Sequence, residues 1–276
     1  MPHRPIITLT TDFGTNDHFV GAMKGVILEI VPEAAIVDIS HAVQAFDVLD
    51  GAITISQAYS YFPTGTVHVV VVDPGVGSAR RPIIASSDAY HFVAPDNGVL
   101  SMVYAREERS HVRHITSDHY FRQPVSNTFH GRDIFAPVAA YLAKQVDSHK
   151  FGDEIEDYVR FAAPKPKAAG ENRMRGVVLK VDRFGNLITN VTPEDVPALF
   201  SATSRPFKIV VGKGEITAIR NSYAEGSPGE VFGVLGSMGY LEIAANRGAA
   251  AQLTDAGKGS EVSIFLGESA AAGKGA

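Results

Sequence analysis

Thr66-Val-His-Val-Val-Val-Val-Asp73-Pro-Gly-Val-Gly-Ser-Ala-Arg80-Arg81 is the stretch on which the fold turns. Five of the seven residues from 66 to 72 are Val, and β-branched side chains suit a pleated surface buried on both faces. The spacing predicts a central strand of a mostly parallel sheet. Pro74-Gly75 then supplies turn chemistry, so Asp73 sits at the carboxyl end of a buried strand. Ligands of open α/β sheets bind at that edge. Gly75 and Gly77 leave the backbone bare beside the carboxylate, and Arg80 is close enough in sequence to fold back onto it. Taken by itself, the stretch leans to a strand, a turn and a surface salt bridge.

Upstream, residues 5 to 11 read as a first strand that also ends on an acid, Asp12. Phe19, Val20, Met23, Ile27, Ile30 and Val31 lie near a helical stripe closed by Pro32. A short strand over 35 to 39 and a helix over about 47 to 61 follow, before Pro63 and Gly65. This alternation of strand and helix is the signature of a parallel sheet covered by helices.

Downstream, residues 82 to 94 predict two short strands, and Pro95-Asp96-Asn97-Gly98 a turn. A short helix over 99 to 106, a strand over 111 to 115 and a helix over about 134 to 145 complete this half. Pro137 falls in the first turn of the last helix, where proline is tolerated.

Residues 163 to 171, Ala-Pro-Lys-Pro-Lys-Ala-Ala-Gly-Glu, are the best linker, and the texture changes after them. Short strands and frequent glycine turns suggest an all-β barrel or sandwich. The reading is therefore an N-terminal α/β domain over 1–165, a C-terminal β-barrel domain over 166–268 and a disordered tail over 269–276.

The 276 residues, 45% of them hydrophobic, supply ample core. Thirty acidic and 25 basic residues give a net charge of −5 with no basic block, which argues against nucleic acid as a partner. Cysteine is absent, so disulfides and thiolate metal sites are excluded. No apolar run approaches a membrane span, and the N-terminus has no signal-peptide pattern. A soluble, cytoplasmic protein is expected.

The chemistry-bearing candidates each have a plain structural alternative. Asp12 can accept both hydroxyls of a ribose, or can cap a helix. His130, in Thr128-Phe-His-Gly-Arg-Asp133, can act as a base, but it is one of ten histidines. No histidine pair has metal-site spacing, so no metal is expected. Gly75-Val-Gly77 only partly echoes a phosphate loop. Asp182-Arg-Phe184-Gly-Asn186 combines an acid, an aromatic and an amide that could hold a base and an amine, or forms a hairpin turn. Glu242 lies on an alternating strand after Gly236-Ser237-Met-Gly239, and an edge-strand surface charge is the alternative.

Taken together these stretches are far more specific. Thr10-Thr-Asp-Phe-Gly14, Val72 to Arg81, Ala94-Pro-Asp-Asn-Gly98, Thr128 to Pro137, Val181 to Asn190 and Gly239 to Ala244 resemble, in order, the S-adenosylmethionine (SAM) hydroxide adenosyltransferases, relatives of fluorinase and chlorinase. The resemblance implies an N-terminal α/β domain joined to a C-terminal β-barrel, assembled as a homotrimer with sites shared between subunits. It implies that water displaces methionine from C5′ of the ribose, giving adenosine and L-methionine, with SAM as substrate and no cofactor. By the same resemblance the catalytic triad falls on Asp73, Arg80 and His130. The ribose contact falls on Asp12, with Phe46 near the sugar. Asp182 would meet the methionine ammonium, and Phe184, Asn186, Ser237, Glu242 and the backbone near Ala245 would meet adenosine. Fluorinase-type relatives carry Tyr, Thr and Tyr at the triad and a halide-contacting Ser next to it. Here those positions are Asp73, Arg80, His130 and Gly131, the water-using set. A halogenase, a non-catalytic adenosine or SAM sensor and a phosphate-handling hydrolase are the rival readings.

Overall fold

A computed structural model describes residues 4–107, 109–201 and 206–267. The expected tail over 269–276 lies outside the described residues. The chain separates into two compact units, Met1–Ala163 and Pro164–Ala276.

The first unit runs β1 (Ile6–Thr11), α1 (Phe19–Ile30), β2 (Ala35–Ser40), α2 (Val48–Ala58), β3 (Val67–Val71), β4 (Pro82–Ser86), β5 (His91–Pro95), α3 (Ser101–Tyr104), β6 (His111–His114) and α4 (Ala136–Ala143). Its six strands form one sheet in the order β2-β1-β3-β5-β4-β6. β2, β1, β3 and β5 are parallel, and β4 runs antiparallel to both of its neighbours. The valine run is central as expected, with Val67 and Val69 to Val72 all at most 2% exposed. Its residues alternate between two cores. Val69 and Val71 pack with α1 and α4, while Val70 and Val72 pack with residues of α2 and α3. Burying each such side chain contributes about 1.5–3 kcal/mol, so β3 fixes the layer order. The short helix predicted over 99–106 is one turn, Ser101–Tyr104.

The second unit comprises β7 (Lys167–Ala168), β8 (Arg173–Val181), β9 (Leu187–Thr189), β10 (Phe207–Val211), β11 (Gly214–Ile216), β12 (Ile219–Arg220), β13 (Val231–Leu235), β14 (Leu241–Ala245), α5 (Ala250–Thr254) and β15 (Glu261–Leu266). Eight strands follow one path, β11-β10-β15-β8-β9-β14-β13-β12, with β7 added to β8. The sheet curls: a methyl group on Gly233 of β13 would lie 3.7 Å from Ile209 of β10, although four strands stand between them along the path. The interior is apolar, with Leu187, Val191, Ile209, Leu241, Ile243 and Ile264 almost fully buried. Among the described residues, no helix is long and apolar enough to cross a membrane.

Candidate functional site

In the first unit the parallel pairing of β1 with β3 places Asp12 and Asp73 just beyond the carboxyl ends of neighbouring strands. After β3 the chain turns over residues 73–78, with Val76 N–H donating to Asp73 O and Ser78 N–H to Gly75 O. This reversal brings Arg80 back. Its Nε donates to Asp73 Oδ1 at 2.9 Å, and its Nη2 donates to Asp73 Oδ2. The same Nη2 lies 2.7 Å from His130 Nδ1. The Arg80 and Asp73 side chains are only 8% and 5% exposed, so this is not a surface salt bridge. Arg80 Nη1 is buried and has no protein acceptor.

His130 is placed by a device that the sequence does not advertise. Gly131–Phe135 form a π-helical turn ahead of α4, with Ala136 N–H donating to Gly131 O. Such turns favour functional sites. Fully buried Asp133 fastens the approach to it by accepting from the Ser126 amide at 2.9 Å and from Arg132 Nε at 2.7 Å. Phe135 lies beneath the Arg80 guanidinium, 5.2 Å from ring centre to Cζ. Gly77 (φ +76°) lies against the Asn127 backbone, where a Cβ would overlap the Asn127 carbonyl. The two loops that lead to Arg80 and His130 therefore touch through main chain. Burial, aided by the Arg80 charge, pushes the His130 imidazole below its ordinary range, while Asp73 and Asp133 pull the other way.

Asp12 is not a helix cap, since the N-cap of α1 is His18. Its Oδ2 instead accepts from Phe46 N–H at 2.8 Å. Burial raises its carboxyl above the ordinary value against two backbone hydrogen bonds, and the nearby Asp73 charge adds to the rise. Phe46 takes φ +66° and is 74% exposed.

In the second unit Asp182 organises the turn between β8 and β9. Its Oδ1 accepts from the amides of Phe184 and Asn186, at 2.9 and 2.8 Å, and its Oδ2 from Asn186 Nδ2 at 2.8 Å. The hairpin-turn alternative is thus realised here, with Gly185 at φ +85°. Phe184, Asn186 and Ala245 line one pocket of about 580 Å³. Tyr223, Arg247 and Gly248 complete it, and sequence reasoning missed all three. Glu242 is not an edge-strand charge, because β14 is paired on both sides and the residue is 4% exposed. Tyr223 Oη donates to its Oε2 at 2.8 Å. Burial raises the Glu242 carboxyl despite that hydrogen bond, and nearby Asp182 adds to the rise. Burial likewise pushes the Tyr223 hydroxyl up to about 12. Asp182, Ser237 and Glu242 are not among the pocket's lining residues; Ser237 is exposed, in the turn Gly236–Gly239.

Two family models match the chain. Residues 7–152 match the SAM hydroxide adenosyltransferase N-terminal domain, and residues 176–263 match the C-terminal domain. A protein of Methanocaldococcus jannaschii named (R)-S-adenosyl-L-methionine hydrolase is 40% identical over 196 residues, 69% of this chain and 68% of that protein. One of Salinispora tropica with the same name is 35% identical over 278 residues, 97% of this chain and 100% of that protein. A fluorinase of Actinoplanes sp. matches at 29% identity, over 88% of this chain and 91% of its own. The crystal structure of an uncharacterized conserved protein from Thermotoga maritima superposes with a TM-score of 0.86 at 36% identity, covering 94% of this chain and 99% of that one. With both domain models matched in order and the whole length shared with a named relative, the chain belongs to the SAM hydroxide adenosyltransferase family.

Proposed function

We propose that this protein hydrolyses SAM to adenosine and L-methionine by attack of water at C5′ of the ribose. The observation that carries the reading is the buried Asp73–Arg80–His130 constellation. The leaving group departs from a sulfonium as a neutral thioether, so no general acid is required. What the reaction needs is a positioned, partly desolvated water in line with the C5′–S bond.

The chain's own groups can supply this. Arg80, paired with Asp73, can favour hydroxide character in the water. Asp73 can accept a proton, and its pairing with Arg80 keeps net negative charge from overstabilising the sulfonium ground state. Asp12 would take the ribose hydroxyls on the carboxylate edge that Phe46 N–H leaves open. Phe46 would pack near the sugar. The turn at Asp182–Asn186 and the pocket beside it would take methionine and adenine, with Ser237, Glu242 and the backbone of Ala245 in support. In this reading the domains are residues 1–165 and 166–268, no metal or other cofactor takes part, and the enzyme works in the cytoplasm. Three subunits would assemble so that each site draws on two of them. The bare rings of Phe46 and Phe184, 74% and 77% exposed, support such an assembly.

The deciding experiment incubates the purified protein with SAM in ¹⁸O-water. The label should appear on the 5′ oxygen of adenosine, with methionine formed in equal amount. Asp73→Ala and His130→Ala should each turn over at least about tenfold more slowly, a margin set below the roughly 10²–10⁴-fold of a lost acid–base partner. Unlabelled adenosine, a chloride-dependent 5′-chloro product, or tight adenosine binding without turnover would each defeat the reading. Light scattering should give three subunits, and mixing the impaired Asp73→Ala and Glu242→Ala variants should give more activity than either alone. A fully active monomer would rule out the shared site.

A further inference from the structure

Thr11 and His41 are both buried, and Thr11 Oγ1 lies 2.8 Å from His41 Nδ1. On the other side of the ring, His41 Nε2 is 3.1 Å from Asp38 Oδ1. That contact is electrostatic rather than an in-line hydrogen bond, because Nε2 finds no acceptor in bonding geometry. Asp38 Oδ2 in turn takes Lys24 Nζ at 2.6 Å. The carboxylate facing Nε2 places the ring proton there, which leaves Nδ1 an acceptor and Thr11 O–H the donor. Thr11 Oγ1 then keeps a lone pair for the Phe13 amide, at 3.2 Å. The row from Lys24 through Asp38 and His41 thus ends on the residues either side of Asp12.

The loop that follows His41 needs such an anchor. It delivers the Phe46 amide to Asp12 Oδ2, and Phe46 sits in the left-handed region, which is unfavourable for a residue with a Cβ. The Phe46 ring is exposed and does not offset that cost by packing. The loop is held at its start instead. Gly14 N–H donates to His41 O at 2.8 Å, and Val43 N–H donates to Thr11 O at 3.4 Å. The Thr11–His41 bond is the side-chain member of this set.

We propose that His41 is a positioning residue for substrate binding: through Thr11 it fixes the angle at which Asp12 meets the ribose, and through its own loop it sets the Phe46 amide against that carboxylate. The proposal rests on the ribose reading of Asp12.

The test compares wild type with Thr11→Val, His41→Asn, His41→Gln and His41→Ala. Adenosine binding is measured by calorimetry, and kcat and KM are measured with SAM. Asn carries its Oδ1 near the place of Nδ1 and can still accept from Thr11, whereas Gln reaches the place of Nε2. The Ala, Gln and Val variants should bind adenosine about tenfold more weakly and raise KM to match, the scale of one hydrogen bond, with kcat within about threefold. His41→Asn should stay within about threefold of wild type, and Thr11→Val with His41→Ala should be no worse than either alone. A lowered melting temperature with unchanged adenosine affinity overturns the proposal. So does rescue by Gln as well as Asn, or a loss confined to kcat. If His41→Ala does not fold, Thr11→Val and the Asn–Gln pair decide. Wild-type protein that fails to bind adenosine would count against the ribose reading instead, so the two failures are separable.

Discussion

Arg80 Nη2 lies 2.7 Å from His130 Nδ1, and a guanidinium has no lone pair to offer. The bond therefore makes Nδ1 the acceptor and leaves the proton of the neutral ring on Nε2. His130 in this state can donate to a water oxygen from Nε2 but cannot take its proton there, so in the proposed hydrolysis Asp73 would be the acceptor. ¹⁵N spectra of the imidazole at neutral pH should show an unprotonated Nδ1 in the wild type and a mixture of tautomers in Arg80→Ala. A protonated Nδ1 in the wild type would overturn the assignment.

The pH dependence follows from the same contact. Burial first, and then the Arg80 charge, hold the imidazole below its ordinary 6.5. The folded protein thus disfavours the charged ring. Stability from the neutral ring is fully present above pH 6.5 and is lost as pH falls through the lower folded value. The plateau of kcat should extend below pH 6.5, with its acid limb beneath that value. In an NMR titration Arg80→Gln should move the His130 midpoint upward, since one cause of the depression is gone. A midpoint at or above 6.5 in the wild type would contradict this account.

Asp12→Ala should weaken adenosine binding by roughly 1.5–3 kcal/mol, the range for hydrogen bonds to a charged group. Because burial and the Asp73 charge raise the Asp12 carboxyl, adenosine affinity should begin to fall, on acidification, at a higher pH than an ordinary carboxylate would allow. Calorimetry at several pH values checks both statements. Unaltered affinity in Asp12→Ala would remove Asp12 from the binding site.

Gly77→Ala combines a positive φ with overlap on the Asn127 carbonyl. It should cost about 1–3 kcal/mol of stability and also lower kcat, because the loop leading to His130 must move. Gly65→Ala is the matched control: φ is +86° and its new methyl meets nothing within 4 Å. It should lower the melting temperature and leave kcat alone. Equal kcat for the two variants would show that the Gly77–Asn127 contact does not set the triad.

The legible parts of this chain are those where one local rule acts alone. The valine run, its stop at Asp73 and the return of Arg80 lie within 16 residues, so strand propensity and turn chemistry suffice. His130 was not legible from spacing, because a π turn has no simple apolar period and Asp133 does its work through the amide of Ser126. Resemblance named it where periodicity did not. Glu242 looked like an edge charge because strand order, which buries it between β9 and β13, is a long-range property. Tyr223 and Arg247 escaped notice for a related reason. They reach the pocket from a one-turn 3-10 helix and from an isolated positive-φ residue, neither of which leaves a pattern in sequence.

The π-helical turn at Gly131–Phe135 makes chain length itself part of the triad. Such a turn holds an extra residue relative to an α turn. Deleting Arg132 from it would let the helix close into regular α geometry, with the N-cap Phe135 and the core side chains of α4 unchanged. Yet each residue turns an α-helix by about 100°, so His130 would swing away from Arg80. An indel that leaves Asp73, Arg80 and His130 all in place would thus silence the protein, and in this segment the count of residues between landmarks is as diagnostic as the landmarks themselves.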